Sequence, residues 1–187
     1  GAVFASGAMY CTLLTRCWYK HFDGAMQRMN PQVLIIGHPA SGKSFAKHLD
    51  DQIMASMRAQ DEEVRLAETR YKQEQKKRGT SSKAQKQDAL VEPDGMIRSL
   101  PTKTSNNIFF RRLKRAKEVV DGEVLPMHLY MFDSELDSSI SAQSGGAWIG
   151  KHDLELKAFH NELSGVDYAN GDSINDILPV YWNSVTT

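Results

Sequence analysis

A predicted buried strand that leads directly into a loop with a glycine at each end of its variable part is the feature that most constrains this fold. Residues 33–36 (VLII) form the short β-branched run typical of a strand buried on both faces of a parallel sheet. Residues 37–44 (GHPASGKS) follow at once and match the pattern GxxxxGK[S/T]. The two glycines allow the backbone N–H groups to turn inward, and the next helix adds the positive end of its dipole. The sequence therefore predicts a P-loop that grips phosphate groups.

The residues of this loop have separate predicted roles. We expect the backbone amides of residues 38–44 to bind phosphate oxygens, Lys43 to reach the β- and γ-phosphates, and the Ser44 hydroxyl to bind Mg²⁺. The expected ligand is ATP with magnesium. The predicted nucleotide-binding residues are Gly37, His38, Pro39, Ala40, Ser41, Gly42, Lys43 and Ser44, of which residues 38–41 serve mainly to fill the loop.

An apolar strand that ends in acidic residues is the second candidate landmark. Residues 127–132 form this strand, and Asp133, Ser134 and Glu135 follow it. We expect Asp133 to organise the magnesium ion and Glu135 to deprotonate the attacking water, with Asp137 as the competitor of Glu135. The predicted catalytic residues are therefore Lys43, Asp133 and Glu135.

The last predicted strand, residues 180–185, ends in polar residues. In P-loop ATPases with an added strand between the phosphate-loop strand and the acidic strand, such an end senses the γ-phosphate. Thr186 and Thr187 are the predicted sensor residues, and an ordinary strand end is the alternative.

The alternation of strand and helix patterns predicts an α/β fold with a mainly parallel sheet. We expect an N-terminal helical segment in residues 1–30 and a core in residues 31–187. The expected elements are helices at 3–22, 44–78, 106–120 and 153–163, strands at 33–36, 96–100, 127–132 and 180–185, and loops at 141–150 and 165–172. The Asp-Gly pairs at 23–24 and 121–122 are expected to stop the first and third helices, and Ile108 of the third helix is expected to point inward. The second half of the long helix, with a linker, would project from the core at about 58–90, because one straight helix of that length exceeds the width of a domain.

Charge and composition exclude some classes of protein. Acidic and basic side chains balance at 23 each, so no global field attracts nucleic acid or an anionic membrane. A local basic patch on one predicted helix is either a solvated face or a DNA contact; it contains Arg111, Arg112, Lys114, Arg115 and Lys117.

No apolar run reaches the roughly 20 residues of a membrane span. Cys11 and Cys17 are expected to be reduced, buried thiols, and the protein to be cytoplasmic.

Four segments together carry a family resemblance. They are residues 37–44 (GHPASGKS), 100–105 (LPTKTS), 132–137 (FDSELD) and 156–162 (LKAFHNE). The combination resembles a poorly characterised family of bacterial P-loop proteins from mobile genetic elements, described as primase/helicase-like ATPases. The resemblance implies a three-layer P-loop NTPase fold with a RecA-like core and a role in DNA replication or transfer. In the family pattern a Gly-Thr-Pro turn follows the final strand, so we expect this chain to be a fragment.

Three functions remain open at this point. The first is an ATP-hydrolysing domain of a DNA-processing protein, a P-loop NTP hydrolase. RecA-like motors commonly complete their site with an arginine from a neighbouring subunit, so this hypothesis includes a homo-oligomer and low turnover of the isolated chain. The second is a nucleotide-gated switch module with little turnover, whose projecting helix binds a partner. A small-molecule or nucleotide kinase ranks last, because the sequence has no arginine-rich lid or recognisable acceptor pocket.

Overall fold

The computed structural model describes residues 1–38, 41–79, 91–135, 150–165 and 176–187. The helices among these residues are α1 (Ala2–Leu13), α2 (Phe45–Ile53), α3 (Ala55–Gly79), α4 (Asn106–Arg115) and α5 (Lys151–Phe159). The strands are β1 (Trp18–Lys20), β2 (Met26–Arg28), β3 (Gln32–Leu34), β4 (Ser99–Leu100), β5 (Lys117–Val120), β6 (Glu123–Pro126), β7 (Leu129–Asp133), β8 (Leu163–Ser164), β9 (Leu178–Pro179) and β10 (Trp182–Thr186).

Four parallel strands form the central sheet of the described chain, in the order β3-β10-β7-β4. Because the strands are parallel, their last residues, Leu34, Thr186, Asp133 and Leu100, lie along one edge, which we name the carboxyl edge. Their first residues lie along the opposite, amino edge. The prediction of an α/β fold with a parallel sheet is confirmed. The expectation that the strand at 33–36 is buried on both faces is wrong, because β3 is an outer strand of the sheet and Leu34 and Ile36 are 52% and 82% exposed.

Helices cover both faces of this sheet. Successive side chains of a strand point to opposite faces, so Leu129 and Tyr130 belong to different apolar clusters. The first cluster joins α1 and the α2–α3 region to the sheet through Ala5, Ala8, Met9, Met54, Met57, Tyr130 and Val185. The second joins α4 and α5 to the sheet and includes Phe109, Phe110, Leu113, Leu129, Met131, Leu154, Ala158 and Trp182. The described chain therefore has three layers.

The N-terminal helix is shorter than predicted. It ends at Leu13, and the antiparallel hairpin β1–β2 follows it. Asp23 and Gly24, predicted as a helix stop, form the hairpin turn, where Gly24 has φ +91° and the Asp23 carboxylate accepts from the Ala25 N–H at 2.9 Å. Cys17 lies outside the helix and is exposed, so the expectation of a buried thiol is wrong for this residue.

The predicted helix at 106–120 is correct at its start and wrong at its end. Ser105 caps it, since its hydroxyl accepts from the N–H of Ile108. The helix ends at Arg115, and the hairpin β5–β6 follows. Its two turn residues, Asp121 and Gly122, have φ 52° and 84°, the positive values that a tight two-residue hairpin turn requires. Ile108, predicted to point inward, is 41% exposed.

The long predicted helix is divided at Met54 into α2 and α3. We expected α3 to leave the domain at about residue 58, but its contacts continue to Glu68. The buried carboxylate of Asp61 accepts from the Ser99 N–H at 2.6 Å, and Glu68 forms a paired contact with the Arg112 guanidinium. These polar contacts hold α3 beside β4 and α4. Most of the described side chains after Glu68 are exposed.

Several predicted loop segments fall outside the described residues. They include the linker at 80–90, most of the glycine/serine loop at 141–150 and most of the surface loop at 165–172.

Candidate functional site at the carboxyl edge

The predicted phosphate loop connects β3 to α2 at the carboxyl edge of the sheet. Gly42 has φ +78°, a conformation that side chains with a Cβ rarely adopt. A Cβ added at Gly37 would lie 2.7 Å from the Ser41 hydroxyl oxygen and 3.5 Å from the Lys43 Cδ, so the Ser41 side chain would have to turn away. Of the two glycines in the pattern, Gly42 therefore has a conformational reason, whereas Gly37 faces two side chains of the loop.

The described end of the loop holds N–H groups that have no acceptor among the described residues. Helix α2 begins at Phe45, slightly later than predicted. Among the described residues, the N–H groups of Gly42, Lys43 and Ser44 have no backbone acceptor. The exposed Ser44 hydroxyl makes no capping hydrogen bond, and the Lys43 chain folds back so that its Cδ lies 3.5 Å from the Cβ position of Gly37. This end of the loop can donate to an anion without losing a contact to the rest of the described chain.

The middle of the loop is described in part. The His38 carbonyl accepts from the Ser41 N–H at 3.1 Å, and both residues are exposed. Pro39 and Ala40 lie outside the described residues.

The acidic end of β7 forms a short turn at the same edge. Asp133 is buried, with 3% of its surface exposed, and its Oδ1 accepts from the Glu135 N–H at 3.1 Å. Glu135 itself is exposed. Asp137, the predicted competitor of Glu135, lies outside the described residues. The turn therefore combines one buried and one exposed carboxylate within three residues.

The last strand joins the phosphate-loop strand to the acidic strand. In the parallel register, Thr186 is the partner of both Leu34 and Asp133. Thr187 continues this contact, because its N–H donates to the Asp133 carbonyl at 2.9 Å and its hydroxyl donates to the Ser134 carbonyl at 3.0 Å. Since neighbouring strands are about 4.8 Å apart, the backbone at Asp133 lies roughly 10 Å from β3. The predicted sensor residues thus lie between the two predicted binding segments.

The oxygen donors at this edge fit a magnesium ion that is bound mainly through phosphate. Magnesium usually takes only one or two protein oxygens and completes its shell with water and phosphate oxygens. Ser44, with its uncapped hydroxyl, and Asp133, with its strand-end carboxylate, are ligands of this kind. Within the described ranges there is no cluster of three or more His, Cys, Asp or Glu side chains that could hold a metal ion by itself.

A buried polar link connects the helix after the loop to the acidic strand, and the sequence analysis did not identify it. Asp50 of α2 is fully buried; its carboxylate accepts from the Tyr130 hydroxyl at 2.9 Å and pairs with Arg58. Burial and the neighbouring Asp50 carboxylate raise the pKa of Tyr130, so its hydroxyl stays protonated. Tyr130 precedes Asp133 by three residues, so this link fixes β7 relative to α2. The only sign of this link in the sequence is an aspartate, Asp50, on a predicted helix and a tyrosine, Tyr130, on a predicted strand.

The predicted basic patch is matched by acidic neighbours. Ion pairs of 2.7–2.8 Å join Arg111 and Arg115 to Glu92, and Arg112 pairs with Glu68. The Arg112 hydrogen bond lowers the pKa of Glu68, which keeps the pair charged. Lys114 pairs with Asp176, and Lys117 is exposed on β5, outside the helix. Much of the positive charge of this segment is therefore used within the chain.

Comparison with known proteins adds no relative. No protein-family model, no curated protein and no solved structure matches this chain. No helix in the described part of the chain is both long enough and apolar enough to cross a bilayer.

Proposed function

We propose that this chain is an ATP-binding and ATP-hydrolysing domain with a P-loop NTPase fold of the RecA-like kind. One observation carries the proposal: β10 lies between β3 and β7, and Thr186 pairs with both Leu34 and Asp133. An added strand in this position is the arrangement that a γ-phosphate sensor requires. The pattern GxxxxGK[S/T] at the end of β3 supports the same fold from the sequence.

Each residue of the carboxyl edge has a role in this proposal. The N–H groups of residues 42–44 and the Lys43 ammonium bind the phosphates, and Ser44 and Asp133 hold the magnesium ion. When bound, Mg²⁺ neutralises the charge on the β- and γ-phosphate oxygens. Glu135, exposed beside Asp133, orients and deprotonates the attacking water.

Calorimetric titration with ATP, with and without Mg²⁺, tests the binding site. Lys43→Ala removes a charge-assisted contact, so we expect ATP affinity to fall about 10- to 100-fold. Lys47→Ala is the matched control, because this lysine lies one helical turn further along α2, is exposed and pairs with Asp51. We expect the control to bind within about threefold of the wild type, since exposed ion pairs contribute little.

Two results would overturn the site. One is Lys43→Ala protein that binds ATP as tightly as the wild type. The other is an equal loss of affinity in both lysine variants, which would indicate a general charge effect.

Phosphate release separates an ATPase from a nucleotide-gated switch. For the ATPase, Glu135→Gln should abolish release and leave ATP affinity within a few-fold, because the amide cannot accept the water proton. Equal release from both proteins, with ATP affinity retained, would favour the switch. The exposed end of α3, from about residue 69 onward, would then be a surface for a partner.

The proposed setting is a primase/helicase-like DNA-processing protein in the cytoplasm, as the family resemblance implies. Helix α4 is a weaker candidate for the DNA contact, because its arginines form ion pairs within the chain. Phosphate release measured with and without single-stranded DNA tests this setting, and an ATPase that acts on DNA should be stimulated. If DNA does not change the rate of phosphate release, the role in DNA processing is overturned, and the proposal of an ATPase remains.

A further inference from the structure

A cavity of about 390 Å³ opens at the carboxyl edge of the sheet, beyond the end of β4. This volume lies within the range of roughly 300–1,000 Å³ that small-molecule sites occupy. Residues 100–105 (LPTKTS), one of the four segments that carry the family resemblance, supply five of its eight described lining residues, and α3 and α4 supply the others. The proposed ATP site gives no role to this segment.

The cavity is separate from the phosphate loop. Strand β4 and the phosphate-loop strand β3 are the two outer strands of the described sheet, three strand spacings or roughly 14 Å apart. The acidic turn lies closer to the cavity. Leu100 is the partner of Met131, two residues before Asp133, so the backbones of Leu100 and Asp133 are roughly 8 Å apart. A ligand in this cavity would therefore lie beside the acidic turn and outside the phosphate loop.

The charged side chains that line the cavity are all positive among the described residues. They are Arg65 of α3, Lys103 of the segment after β4, and Arg112 of α4. Glu68 neutralises Arg112, with which it pairs. Arg65 and Lys103 form no ion pair with any described carboxylate. Two cations without an acidic partner thus share one concave site.

Arg65 is fixed by the fold and still has donors to spare. One of its terminal nitrogens donates to the Ser99 carbonyl at 2.6 Å, which places the guanidinium beside the end of β4. A guanidinium carries five N–H donors, and the other donors of Arg65 have no acceptor in the described chain. Asp61, one helical turn earlier on α3, does not pair with Arg65, because its two oxygens accept from the N–H groups of Arg98 and Ser99. The guanidinium can therefore donate to an anion without breaking an ion pair.

We propose that this cavity binds a phosphate group, which is held between the Arg65 guanidinium and the Lys103 ammonium. Arginine binds phosphate through the fork of its N–H groups, and lysine binds it as a point charge. Helix α4 begins at the cavity, where Ser105 caps it, so the positive end of its dipole adds to the two cations. A free phosphomonoester and a single strand of nucleic acid present the same group to the cavity, and the experiment separates these two sources.

Two phosphate probes and one probe without phosphate test the binding. Fluorescence anisotropy measures a labelled single-stranded oligothymidylate of about 12 nucleotides, a length within known site sizes. Calorimetry measures thymidine 5′-monophosphate and thymidine. All titrations use Lys43→Ala protein without ATP, so that the phosphate loop contributes as little as possible. We expect at least one phosphate probe to bind, and thymidine to bind at least tenfold more weakly than its monophosphate.

Variants of the cavity are made in the same Lys43→Ala parent. Lys103→Ala should weaken binding of the phosphate probe about tenfold, because it removes a charge-assisted contact. Lys117→Ala is the matched control, since it removes the same charge from an exposed lysine beyond the other end of α4, about 15 Å away. Neither lysine forms an ion pair in the described chain, so both variants should keep the Tm of the parent.

Arg65→Gln is the second variant of the cavity. The glutamine amide can still donate to the Ser99 carbonyl, but the charge is lost, so binding should again weaken about tenfold. If Arg65→Gln lowers the Tm, its loss of affinity reflects damage to the fold, and Lys103→Ala alone decides the proposal.

The two sources are separated by competition. Thymidine 5′-monophosphate that displaces the strand at its own measured affinity, or that binds when the strand does not, supports a phosphomonoester as the ligand. A strand that the monophosphate does not displace supports nucleic acid. For a strand, the slope of log affinity against log salt concentration should be smaller by about 0.7 in Lys103→Ala, the value of one phosphate contact.

Three results would overturn the proposal. The first is that neither phosphate probe binds, and the second is that thymidine binds as tightly as its monophosphate. The third is that Lys103→Ala loses no more affinity than Lys117→Ala. None of these outcomes bears on ATP binding, which the Lys43 and Lys47 variants test.

Discussion

The two edges of the same sheet use their polar groups in opposite ways. At the carboxyl edge, Gly42, Ser44 and Glu135 are exposed, and the loop N–H groups are not consumed by the described fold. At the amino edge, Arg28 and His128 are buried to at least 99% and are surrounded by chain. The difference indicates that polar groups at one edge are exposed to a ligand, whereas Arg28 and His128 at the other edge are enclosed by the fold.

Arg28 shows how the amino edge accommodates a buried charge. Its guanidinium carbon lies 4.6 Å from the Trp18 ring centroid and 4.5 Å from that of Tyr181, and the group donates to the Pro126 carbonyl. Burial lowers the pKa of Arg28, but an arginine retains its proton at ordinary pH. The two ring faces and the carbonyl replace part of the water that the cation loses on folding.

The largest effect is expected from Arg28→Ala. The change removes two cation–π contacts and a hydrogen bond and leaves a cavity, so the free energy of unfolding should fall by about 3–5 kcal/mol. Urea denaturation followed by circular dichroism measures it. Arg16→Ala is the control, because Arg16 forms only an exposed pair with Glu118 and should cost less than about 1 kcal/mol. Equal effects of the two changes would show that the amino edge does not depend on its buried cation.

The same comparison explains how much of the molecule could be predicted. The candidate site at the carboxyl edge is predicted from eight consecutive residues and two strand ends, because patterns that are local in the sequence can be recognised directly. The amino edge depends on partners far apart in the chain: the Arg28 N–H donates to the side chain of Asn161, and its guanidinium packs on Tyr181. A single sequence contains no pattern that pairs such distant residues, so the contacts around Arg28 could not be predicted.

The missed hairpins have a different cause, because their signals were present. Asp23 with Gly24, and Asp121 with Gly122, are Asp-Gly pairs between short β-forming runs, which is a strong hairpin signal. Both pairs also fit helix stops, because the helical spacing before each pair continues up to it. In the structure, strand formers such as Trp18 and Tyr19 outweigh that helical spacing.

The second prediction concerns Gly37, where a side chain should impair the ligand site and leave the fold intact. In Gly37→Ala the new Cβ meets the Ser41 hydroxyl at 2.7 Å, so the Ser41 side chain must turn away and the methyl group lies beside the Lys43 chain. We expect ATP affinity to fall about tenfold, which corresponds to about 1.4 kcal/mol, and the free energy of unfolding to change by less than about 1 kcal/mol. Calorimetry and urea denaturation measure the two quantities on the same protein.

Gly7→Ala is the matched control for this change. Gly7 lies within α1, and a Cβ there meets nothing within 4 Å. Alanine should therefore stabilise the helix by about 0.5–1 kcal/mol and leave ATP affinity unchanged. Gly37→Ala protein that keeps full ATP affinity would show that the loop tolerates a side chain, and the contrast between the two edges would lose its strongest support.

The third prediction is a pH dependence that arises at the amino edge. Burial, together with the nearby Arg28 and Arg98 cations, lowers the pKa of His128 to about 3. The unfolded chain binds this proton near pH 6.5 and the folded chain does not, so the stability is fully present above pH 6.5 and is lost as pH falls toward 3. The loss is at most about 1.4 kcal/mol per pH unit from this one group.

His128→Gln separates this contribution from that of every other titrating group. Urea denaturation of both proteins between pH 5 and 7.5 gives the slope of the unfolding free energy against pH for each. Below pH 6.5 the slope of the variant should be smaller by up to about 1.4 kcal/mol per pH unit, the contribution of one proton. The paired carboxylates, such as Glu68, have lowered pKa values and act at lower pH in both proteins alike. Parallel slopes would mean that His128 is protonated in the folded chain, which requires water or an anion beside it. The amino edge would then resemble the carboxyl edge, with a polar group open to a ligand.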